Sequence, residues 1–480
     1  MKKLVLTVLL LSSVFLLTAC ARNPATGGYS LNFYSSAQEY QMGEEYHPRL
    51  VAQYGEYTDP NLHNYVQGIV DRLGDVSHRP DLNYRVTLLD TPEINAFAIP
   101  GGRVYVCRGL LVYINSEAEL AGVMGHELGH VNARHSVQQM SKQQSLDFGL
   151  LFGALFLAKD SEQNAQNFLD LGGAVSNLAM LSYSREDEME ADRLGLEYAH
   201  QAGFSPLGVE QVMKMFERLS GQQSEWNILL SSHPASETRS KQARLEARKL
   251  AENQDINREL DRDVYLGKIK NIVTGRNPER GVISGGNFYS TRYQLAFNGG
   301  SGKFNLDGSY LMVWQNPQQT AVAQLDLLEM NNNPEKTKTT QTEKSLGTAA
   351  HTVLSRSWNN SHGNAYIYLA RGKDGYYQIS QYFNIYRGKM LCFTVTEKLS
   401  GQQTTLANLD SALQNLRPLS AAEADQFKAA RLEVYTAQAD DTWASLAKIY
   451  FTDAEAQRLA WFNGCELTDA LPEKIKLGLF

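Results

Sequence analysis

Two histidines and a glutamate in the first third of the chain form the pattern with the clearest chemistry. Residues 126–130 read His-Glu-Leu-Gly-His. On a helix His126 and His130 share a face, so both imidazoles can reach one metal ion. Glu127 lies beside the first ligand and can reach a water molecule instead. The H-E-x-x-H pattern therefore predicts one Zn²⁺ per chain, with Glu127 placed to reach a water molecule on the metal.

The alternative to a metal site is a solvated helix that carries two surface histidines. Gly129 lies between them and lowers helix stability by up to about 1 kcal/mol relative to alanine. A helix that tolerates this glycine beside two histidines is better explained by a site than by a solvated face. We therefore expect zinc here.

A catalytic zinc needs a third protein ligand from elsewhere in the chain. Glu188 and Asp192 are four residues apart at the start of a second expected helix. Glu188 can complete a His₂Glu set, and Asp192 can accept the free N–H of a ligand histidine and fix its tautomer. The residues alone leave Glu186 and Glu190 as competitors. Acidic residues in a first helical turn are also explained by the helix dipole.

Local patterns predict the elements that position these residues. Residues 116–119, Ser-Glu-Ala-Glu, match a capping box that begins the helix of the two histidines. Residues 184–187, Ser-Arg-Glu-Asp, predict the start of the second helix. Residues 84–89 and 103–107 are expected to be strands. We expect 103–107 to be an edge strand that holds a peptide by β-addition.

Four motifs in one order resemble those of the M48 family of zinc metallopeptidases. Residues 126–135 resemble the extended H-E-x-x-H-x-x-x-R-H signature, and residues 184–192 resemble the second motif. The stretch from 95 to 111 around the second strand and the His-Pro at 233–234 with Arg239 also resemble the family. These motifs extend over residues 95–239.

The resemblance implies a zincin-type fold with Glu188 as third ligand, Glu127 as general base and Asp192 as a supporting catalytic residue. His233 is the candidate oxyanion donor, or a fourth ligand that closes the zinc in a resting state. A loop histidine before proline is the alternative for His233. Three further residues are expected to brace the site by salt bridges: Arg134, His135 and Arg239.

The start of the chain is typical of an export signal. Lys2 and Lys3 precede an apolar run at 4–17, which is too short to span a bilayer. The residues before Cys20 resemble a bacterial lipobox, which implies cleavage before Cys20 and a lipid on its thiol. Ala21 favours the outer membrane as the anchor site. The alternative is a plain signal peptide with an incidental cysteine.

The patterns divide the 480 residues into four segments and predict an α+β chain. The last segment resembles a LysM module, a small βααβ glycan binder, and the alternative is a module that only packs on the other domains. The expected segments are a lipoprotein signal peptide at 1–19, a mainly helical zincin-type metallopeptidase domain at 20–262, a strand-rich α+β domain at 263–425 and the LysM-like module at 430–480.

Charge and cysteine content limit the remaining function classes. The formal net charge of −7 argues against a nucleic-acid partner, which would require a basic face. Besides Cys20, the three cysteines Cys107, Cys392 and Cys465 are too scattered for a disulfide framework.

The sequence therefore predicts a zinc-dependent endopeptidase, lipid-anchored in the periplasm, that acts on misfolded envelope proteins. Its expected partners are polypeptide substrates and the membrane, reached through lipidated Cys20, with peptidoglycan as a further candidate. One alternative is a zinc-containing chaperone or assembly factor with little proteolysis. A second alternative is a cell-wall hydrolase.

Overall fold

The computed structural model describes residues 20–142, 183–219, 233, 237–252, 260–306, 311–316, 321–328, 358–360, 363–372, 375–386, 389–399, 415–450 and 455–478. The expected signal peptide at 1–19 lies outside these residues. The chain forms two compact units. The first comprises Met1–Val51, Gly55–Gly275 and Arg431–Phe480, and the second comprises Ala52–Tyr54 and Arg276–Ala430.

The first unit begins with a hairpin and continues as helices around a small sheet. Up to its break at Gly275 its elements are β1 (Cys20–Arg22), β2 (Tyr29–Leu31), α1 (Ser36–Tyr54), α2 (Pro60–Asp75), β3 (Arg85–Leu89), β4 (Ala96–Ile99), β5 (Arg103–Cys107), α3 (Arg108–Tyr113), α4 (Glu117–Asn132), α5 (Arg185–Gln201), α6 (Leu207–Leu219), α7 (Glu237–Glu252) and α8 (Arg262–Ile269).

The expectation that residues 103–107 form an edge strand is wrong. The sheet has the order β3-β5-β4, with β5 parallel to β3 and antiparallel to β4. All five residues of β5 are buried, as is typical of a central strand. Because both edges of β5 are already paired, it cannot accept a further strand. The edge strand beside helix α4 is β4.

Helix α4 carries the two histidines and packs closely against α5. The Ser116 hydroxyl accepts from the Glu119 N–H and donates to its carboxylate, which confirms the predicted helix start. A Cβ built on Gly129 would lie 2.8 Å from the Ala191 carbonyl oxygen, and one on Gly195 would lie 2.5 Å from the His126 nitrogen. Glycine at these positions therefore allows the two backbones to touch, which explains Gly129 by packing.

Substituting Gly195 by alanine should force α4 and α5 apart. Overpacking of this kind costs about 1–3 kcal/mol, and we expect that loss in the free energy of unfolding, measured with urea. The matched control is Gly68→Ala in α2, where a Cβ meets nothing within 4 Å. That change should stabilise the protein by about 0.5–1 kcal/mol because alanine is the better helix former. Equal effects of the two changes would contradict the packing argument.

The second unit is mainly antiparallel sheet, as expected for a strand-rich domain. Its elements are β6 (Val282–Ser284), β7 (Asn287–Ser290), β8 (Leu295–Asn298), β9 (Lys303–Asn305), β10 (Met312–Gln315), β11 (Ala321–Leu328), β12 (Trp358–Asn360), β13 (Gly363–Gly372), β14 (Gly375–Tyr386), β15 (Lys389–Lys398), β16 (Leu416–Pro418) and the short helix α9 (Ala421–Gln426). One sheet has the order β12-β13-β14-β15-β11-β10-β9 and another the order β16-β8-β7-β6.

The tail of the chain returns to the first unit. It runs β17 (Glu433–Thr436), α10 (Trp443–Tyr450), α11 (Ala456–Phe462) and β18 (Lys474–Leu477), with the two strands antiparallel. This is the βααβ order expected from the sequence. Cys107 and Cys392 are buried and Cys465 is half-buried. None of these three cysteines forms a disulfide.

Lys476 fixes this tail module to the end of helix α3. Its Nζ is fully buried and donates to the carbonyl oxygens of Val112, Tyr113 and Ile114 at 2.8, 3.0 and 3.1 Å. These carbonyls end helix α3, where backbone acceptors lack helical partners and a cation is favoured. Phe462 of the tail is part of the main hydrophobic core. The domain boundaries expected from the sequence remain a prediction, but the tail shares a core with the first unit.

Across the described ranges, no helix combines the length and the apolar character needed to cross a bilayer.

Candidate metal centre

Three elements of the first unit bring the predicted site residues together. Helix α4 contributes His126 and His130, α5 contributes Glu188, and His233 follows α6. Each of the four offers one ligand atom, and these atoms all lie within 4.8 Å of one another. All four side chains are buried or nearly so. The four residues, called here the metal-ligand cluster, are imidazoles and a carboxylate, the donor types that zinc takes in proteins.

The ring nitrogens and the carboxylate converge on a common point. His126 Nε2 lies 3.0 Å from His130 Nε2 and 3.3 Å from His233 Nδ1. Glu188 Oε1 lies 3.3 Å from His130 Nε2 and 2.9 Å from His233 Nδ1, while Oε2 is 3.6 Å from His126 Nε2. Such short distances between lone-pair donors suit a cation held among them, so the residues fit a metal ion.

Burial and hydrogen bonding hold two members of the cluster in their ligand forms. Burial lowers the pKa of His130 well below its ordinary value, so the imidazole is neutral and can donate a lone pair. Burial alone would raise the pKa of Glu188. Hydrogen bonds with His130 and His233 outweigh it and lower that pKa, which keeps the carboxylate ionised. Neutral imidazole and ionised carboxylate are the forms that bind metal.

Glu127 lies beside the metal-ligand cluster without belonging to it. Its Oε1 is 3.7 Å from His233 Nε2, and its side chain is buried. Burial raises the pKa of Glu127, although His233, His126 and a backbone hydrogen bond at Ala98 act in the opposite direction. A raised carboxyl pKa suits a group that must take up and release a proton near neutral pH. The contact at Ala98 also places the edge strand β4 next to Glu127.

Asp192 and Arg239 support the cluster from the α5 side. Asp192 Oδ1 lies 2.9 Å from His126 Nδ1, where the sequence placed it as the partner that fixes the histidine tautomer. Burial would raise the pKa of Asp192, but the hydrogen bonds from Arg239 and His126 lower it. Arg239 Nη2 donates to Asp192 Oδ1 at 2.8 Å, and its Nη1 is 2.5 Å from Glu188 Oε2. Arg239 therefore braces both acidic residues.

His135 and Glu190 support the cluster from the other side. His135 Nδ1 lies 2.9 Å from His130 Nδ1, and His135 Nε2 lies 2.9 Å from Glu190 Oε2. Glu190, a competitor for the third ligand in the sequence, thus contacts His135. Glu186, the other competitor, is exposed. Of the three glutamates, the structure brings Glu188 alone to the two histidines of α4.

Arg134 acts further from the site than expected. Its Nε donates to Glu39 Oε1 at 2.5 Å, and its Nη2 donates to the Tyr34 carbonyl oxygen at 2.5 Å. Glu39 also pairs with Arg79 at 2.9 Å. Arg134 therefore ties the end of α4 to α1, and its hydrogen bonds go to Glu39 and Tyr34 rather than to the metal-ligand cluster.

Tyr183 is a site residue that sequence reasoning missed. Its ring stacks on His130 with centroids 4.0 Å apart and an interplanar angle of 20°. The Tyr183 hydroxyl lies 2.8 Å from the Ser136 hydroxyl. The sole sequence feature that points to it is its position immediately before Ser184, the N-cap of α5.

Comparisons with known proteins agree with this geometry. The profile of "Peptidase family M48" matches residues 60–247. The "Beta-barrel assembly-enhancing protease" of Escherichia coli (strain K12) is 30% identical over 249 residues, which cover 51% of this chain and 50% of that protein. The "Mitochondrial metalloendopeptidase OMA1" of Schizosaccharomyces pombe is 31% identical over 209 residues, which cover 42% of this chain and 58% of that protein. The chain thus spans about half the length of these curated relatives.

The matched region contains the whole site. The metal-ligand cluster, Glu127, Asp192, His135 and Arg239 all lie inside residues 60–247. The relative from fission yeast is named a metalloendopeptidase, in keeping with a metal at the cluster. Residues 60–247 of this chain are therefore similar in sequence to peptidase family M48, and the site lies within them.

Proposed function

We propose that this chain is a zinc-dependent endopeptidase in which His126, His130 and Glu188 hold one zinc ion and Glu127 is the general base. The observation that carries the proposal is the placement of Glu127. It is buried next to three zinc-type donors but makes none of the short contacts that join them. A carboxylate in that position can act on water and on the leaving amine, whereas a carboxylate that was itself bound to the metal could not.

Each residue of the site has a defined part in this reaction. Bound zinc supplies Lewis-acid polarisation of the scissile carbonyl and makes water a stronger nucleophile at neutral pH. Glu127 takes the proton from the attacking water and delivers it to the leaving amine. Asp192 holds the His126 ring with Nε2 facing the cluster. The edge strand β4 can pair with an extended substrate beside Glu127, because its outer side is unpaired among the described strands.

Removing the metal tests the proposal. We expect the purified protein to contain one zinc per chain, measured by mass spectrometry of the metal, and to cleave casein. A chelator should abolish cleavage, and added Zn²⁺ should restore it while Mg²⁺ should not, because Mg²⁺ prefers oxygen ligands. Circular dichroism of the chelated protein controls for unfolding. Cleavage that survives complete removal of zinc would reject the proposal.

His233 is proposed as a fourth ligand that closes the site in a resting state. Its Nδ1 belongs to the metal-ligand cluster and lies 2.9 Å from Glu188. A catalytic zinc keeps one position open, and four protein ligands leave none. We therefore expect His233→Ala to raise the rate of casein cleavage per bound zinc, with His63→Ala in α2 as the control. If His233 were an oxyanion donor, the rate should instead fall by about 10²–10³-fold.

The substrates proposed for this protease are misfolded polypeptides of the bacterial envelope. Support comes from the export pattern before Cys20 and from the E. coli relative, which is named for its effect on β-barrel assembly. The proposed location is the periplasm, with a lipid on Cys20 as an outer-membrane anchor. Metabolic labelling with a fatty acid should mark the wild type but not Cys20→Ala. A soluble, unlabelled wild type would remove the anchor from the proposal.

A second candidate function is that of a chaperone or assembly factor with little proteolysis. The presence of His233 in the metal-ligand cluster favours it, because a closed site turns over slowly. A cell-wall role rests on the βααβ order of the tail and its resemblance to a LysM module. Co-sedimentation of the full chain with insoluble peptidoglycan would support a glycan-binding tail, and its failure would leave the tail as a packing module.

A further inference from the structure

The part of the chain that precedes residue 60 contacts the end of helix α4. It lies outside residues 60–247, which are similar to peptidase family M48. Its contacts there are hydrogen bonds from Asn23 Nδ2 to the Ala133 carbonyl oxygen at 3.2 Å, from the Phe33 N–H to Ser141 Oγ at 3.0 Å and from Arg134 Nη2 to the Tyr34 carbonyl oxygen at 2.5 Å. Residues from the beginning of the protein therefore border the turn that follows α4.

Arg134 forms this turn in a backbone conformation that is unusual for arginine. Its φ is +62°, in the left-handed region, where glycine is the usual residue after a helix end. Ala133 is the C-cap of α4, so Arg134 occupies the position at which the chain leaves the helix. A residue with a Cβ keeps such a conformation only where its surroundings stabilise it. The contacts of the Arg134 guanidinium supply that stabilisation.

Glu39 is the buried carboxylate at the centre of these contacts. Its side chain is 2% exposed, and each of its two oxygens receives a hydrogen bond from an arginine. Arg134 Nε donates to Oε1 at 2.5 Å, and Arg79 Nη1 donates to Oε2 at 2.9 Å. Arg79 Nη1 also donates to the Val131 carbonyl oxygen, in the last turn of α4, at 3.3 Å. A single carboxylate thus holds both the end of α4 and the turn that follows it.

The turn affects the metal site because His135 comes next in the chain. His135 Nδ1 lies 2.9 Å from His130 Nδ1, and His135 Nε2 lies 2.9 Å from Glu190 Oε2. When His130 gives the lone pair of Nε2 to a metal, its proton is on Nδ1 and is donated to His135 Nδ1. His135 then carries its proton on Nε2 and donates it to Glu190. The contact with His135 therefore fixes the tautomer and the ring orientation of a metal ligand.

We infer that Glu39 is a positioning residue of the zinc site, because its pairing with Arg134 sets the turn that places His135 against His130. The inference rests on the proposed function, in which His130 is a zinc ligand. Molecules in which this turn opens lose the support of His130. The apparent affinity for a ligand falls with the fraction of molecules that are competent to bind it. The effect of Glu39 is therefore expected in the affinity for zinc.

The first test is the dissociation constant for zinc of the full-length protein, measured by competition with a chelating dye. Glu39→Gln removes the charge that pairs with two arginines but keeps the size of the side chain. It should weaken zinc binding by about 10–100-fold, the usual cost of losing an outer partner of a ligand. The matched control is Glu45→Gln on the same helix, because the Glu45 side chain is 61% exposed and pairs with Arg49. That change should stay within a factor of about two of the wild type, and equal dissociation constants for the two variants overturn the inference.

Two substitutions of Arg134 separate positioning from a general loss of stability. Both remove the guanidinium, but glycine accepts the left-handed conformation whereas alanine avoids it. We expect Arg134→Gly to bind zinc at least about fivefold more tightly than Arg134→Ala. Both variants leave Glu39 paired with Arg79, so they test the turn even if Glu39→Gln does not fold.

A rescue experiment uses the same difference. Arg134→Gly introduced into the Glu39→Gln protein should recover part of the lost zinc affinity, because the turn then no longer depends on the pair. Arg134→Ala in that background should not. If glycine weakens zinc binding as much as alanine does, Glu39 supports the fold and not His135, and the inference is overturned.

Zinc binding by the wild type separates this inference from the proposed function. A wild type that binds no zinc overturns both. A wild type that binds zinc, with an affinity that Glu39→Gln leaves unchanged, overturns the inference alone and leaves chelator-sensitive cleavage of casein explained.

Discussion

Glu127→Gln is expected to reduce casein cleavage by about 10²–10⁴-fold, the usual contribution of a general acid–base group. Glutamine keeps the size and one oxygen of the side chain but cannot take a proton from water or return it to the leaving amine. Since Glu127 lies outside the metal-ligand cluster, bound zinc should remain at one per chain. The measurements are the rate of casein cleavage and the zinc content of the same sample.

Glu186→Gln is the matched control for this change. Glu186 is an exposed residue in the first turn of α5, so removing its charge should leave the rate within a factor of about two of the wild type. Cleavage by Glu127→Gln at the wild-type rate would place the general base elsewhere. A zinc-free Glu127→Gln protein would mean instead that Glu127 is a ligand.

Glu188→Ala is expected to abolish metal binding at stoichiometric zinc. It removes the carboxylate that completes the His₂Glu set and leaves Arg239 facing the two histidines of α4. Loss of an outer partner of a ligand typically costs about 10–100-fold in affinity, and loss of the ligand itself should cost more. The dissociation constant for zinc, measured by competition with a chelating dye, gives the size of the effect.

Glu190→Ala on the same helix gives the graded comparison. Glu190 reaches the metal-ligand cluster only through His135, which contacts His130. Its removal should therefore weaken zinc binding by about 10–100-fold and no more. Reversal of the order, with Glu190→Ala the more severe, would show that Glu190 is the third ligand. Equal and small effects would point to His126, His130 and His233 as a sufficient set.

Local patterns predicted the active-site helices well, because capping is a short-range interaction. Ser116 and Ser184 are N-caps in the structure, and both helices begin at the next residue. The H-E-x-x-H spacing also determined which side of α4 carries the ligands. Everything needed for these predictions lies within a few residues along the chain.

The third ligand was harder to predict, because first-turn acidity alone does not say which face of α5 is turned inward. The position of Gly195 indicates which face of α5 is turned inward. It lies seven residues after Glu188, on the same helical face, and contacts the backbone of α4 at His126. A glycine in close helix contact marks the inward face, and of the three glutamates only Glu188 lies on it. The positions of His135 and Tyr183 beside His130 depend on tertiary contacts, which the spacing of residues along the chain does not indicate.

The edge-strand prediction failed for a similar reason. Residues 103–107 look the same in sequence whether one or both edges are paired. The parallel pairing of β5 with β3 joins segments that are separated by β4 along the chain. A run of five residues that are all buried is typical of a central strand, but burial is not visible in advance when arginine and tyrosine belong to the run.

The attachment of the tail through Lys476 has a consequence for when the first unit can complete its fold. A ribosome adds about 5–20 residues per second, from the N-terminus onward. The second unit, about 155 residues long, is made between Gly275 and Arg431, which takes roughly 8–30 s at that speed. Until Phe462 and Lys476 follow, the main core lacks a buried aromatic ring and the end of α3 lacks its cation. The core of the first unit is thus completed only after the whole second unit has been synthesised, long after the residues of the metal-ligand cluster.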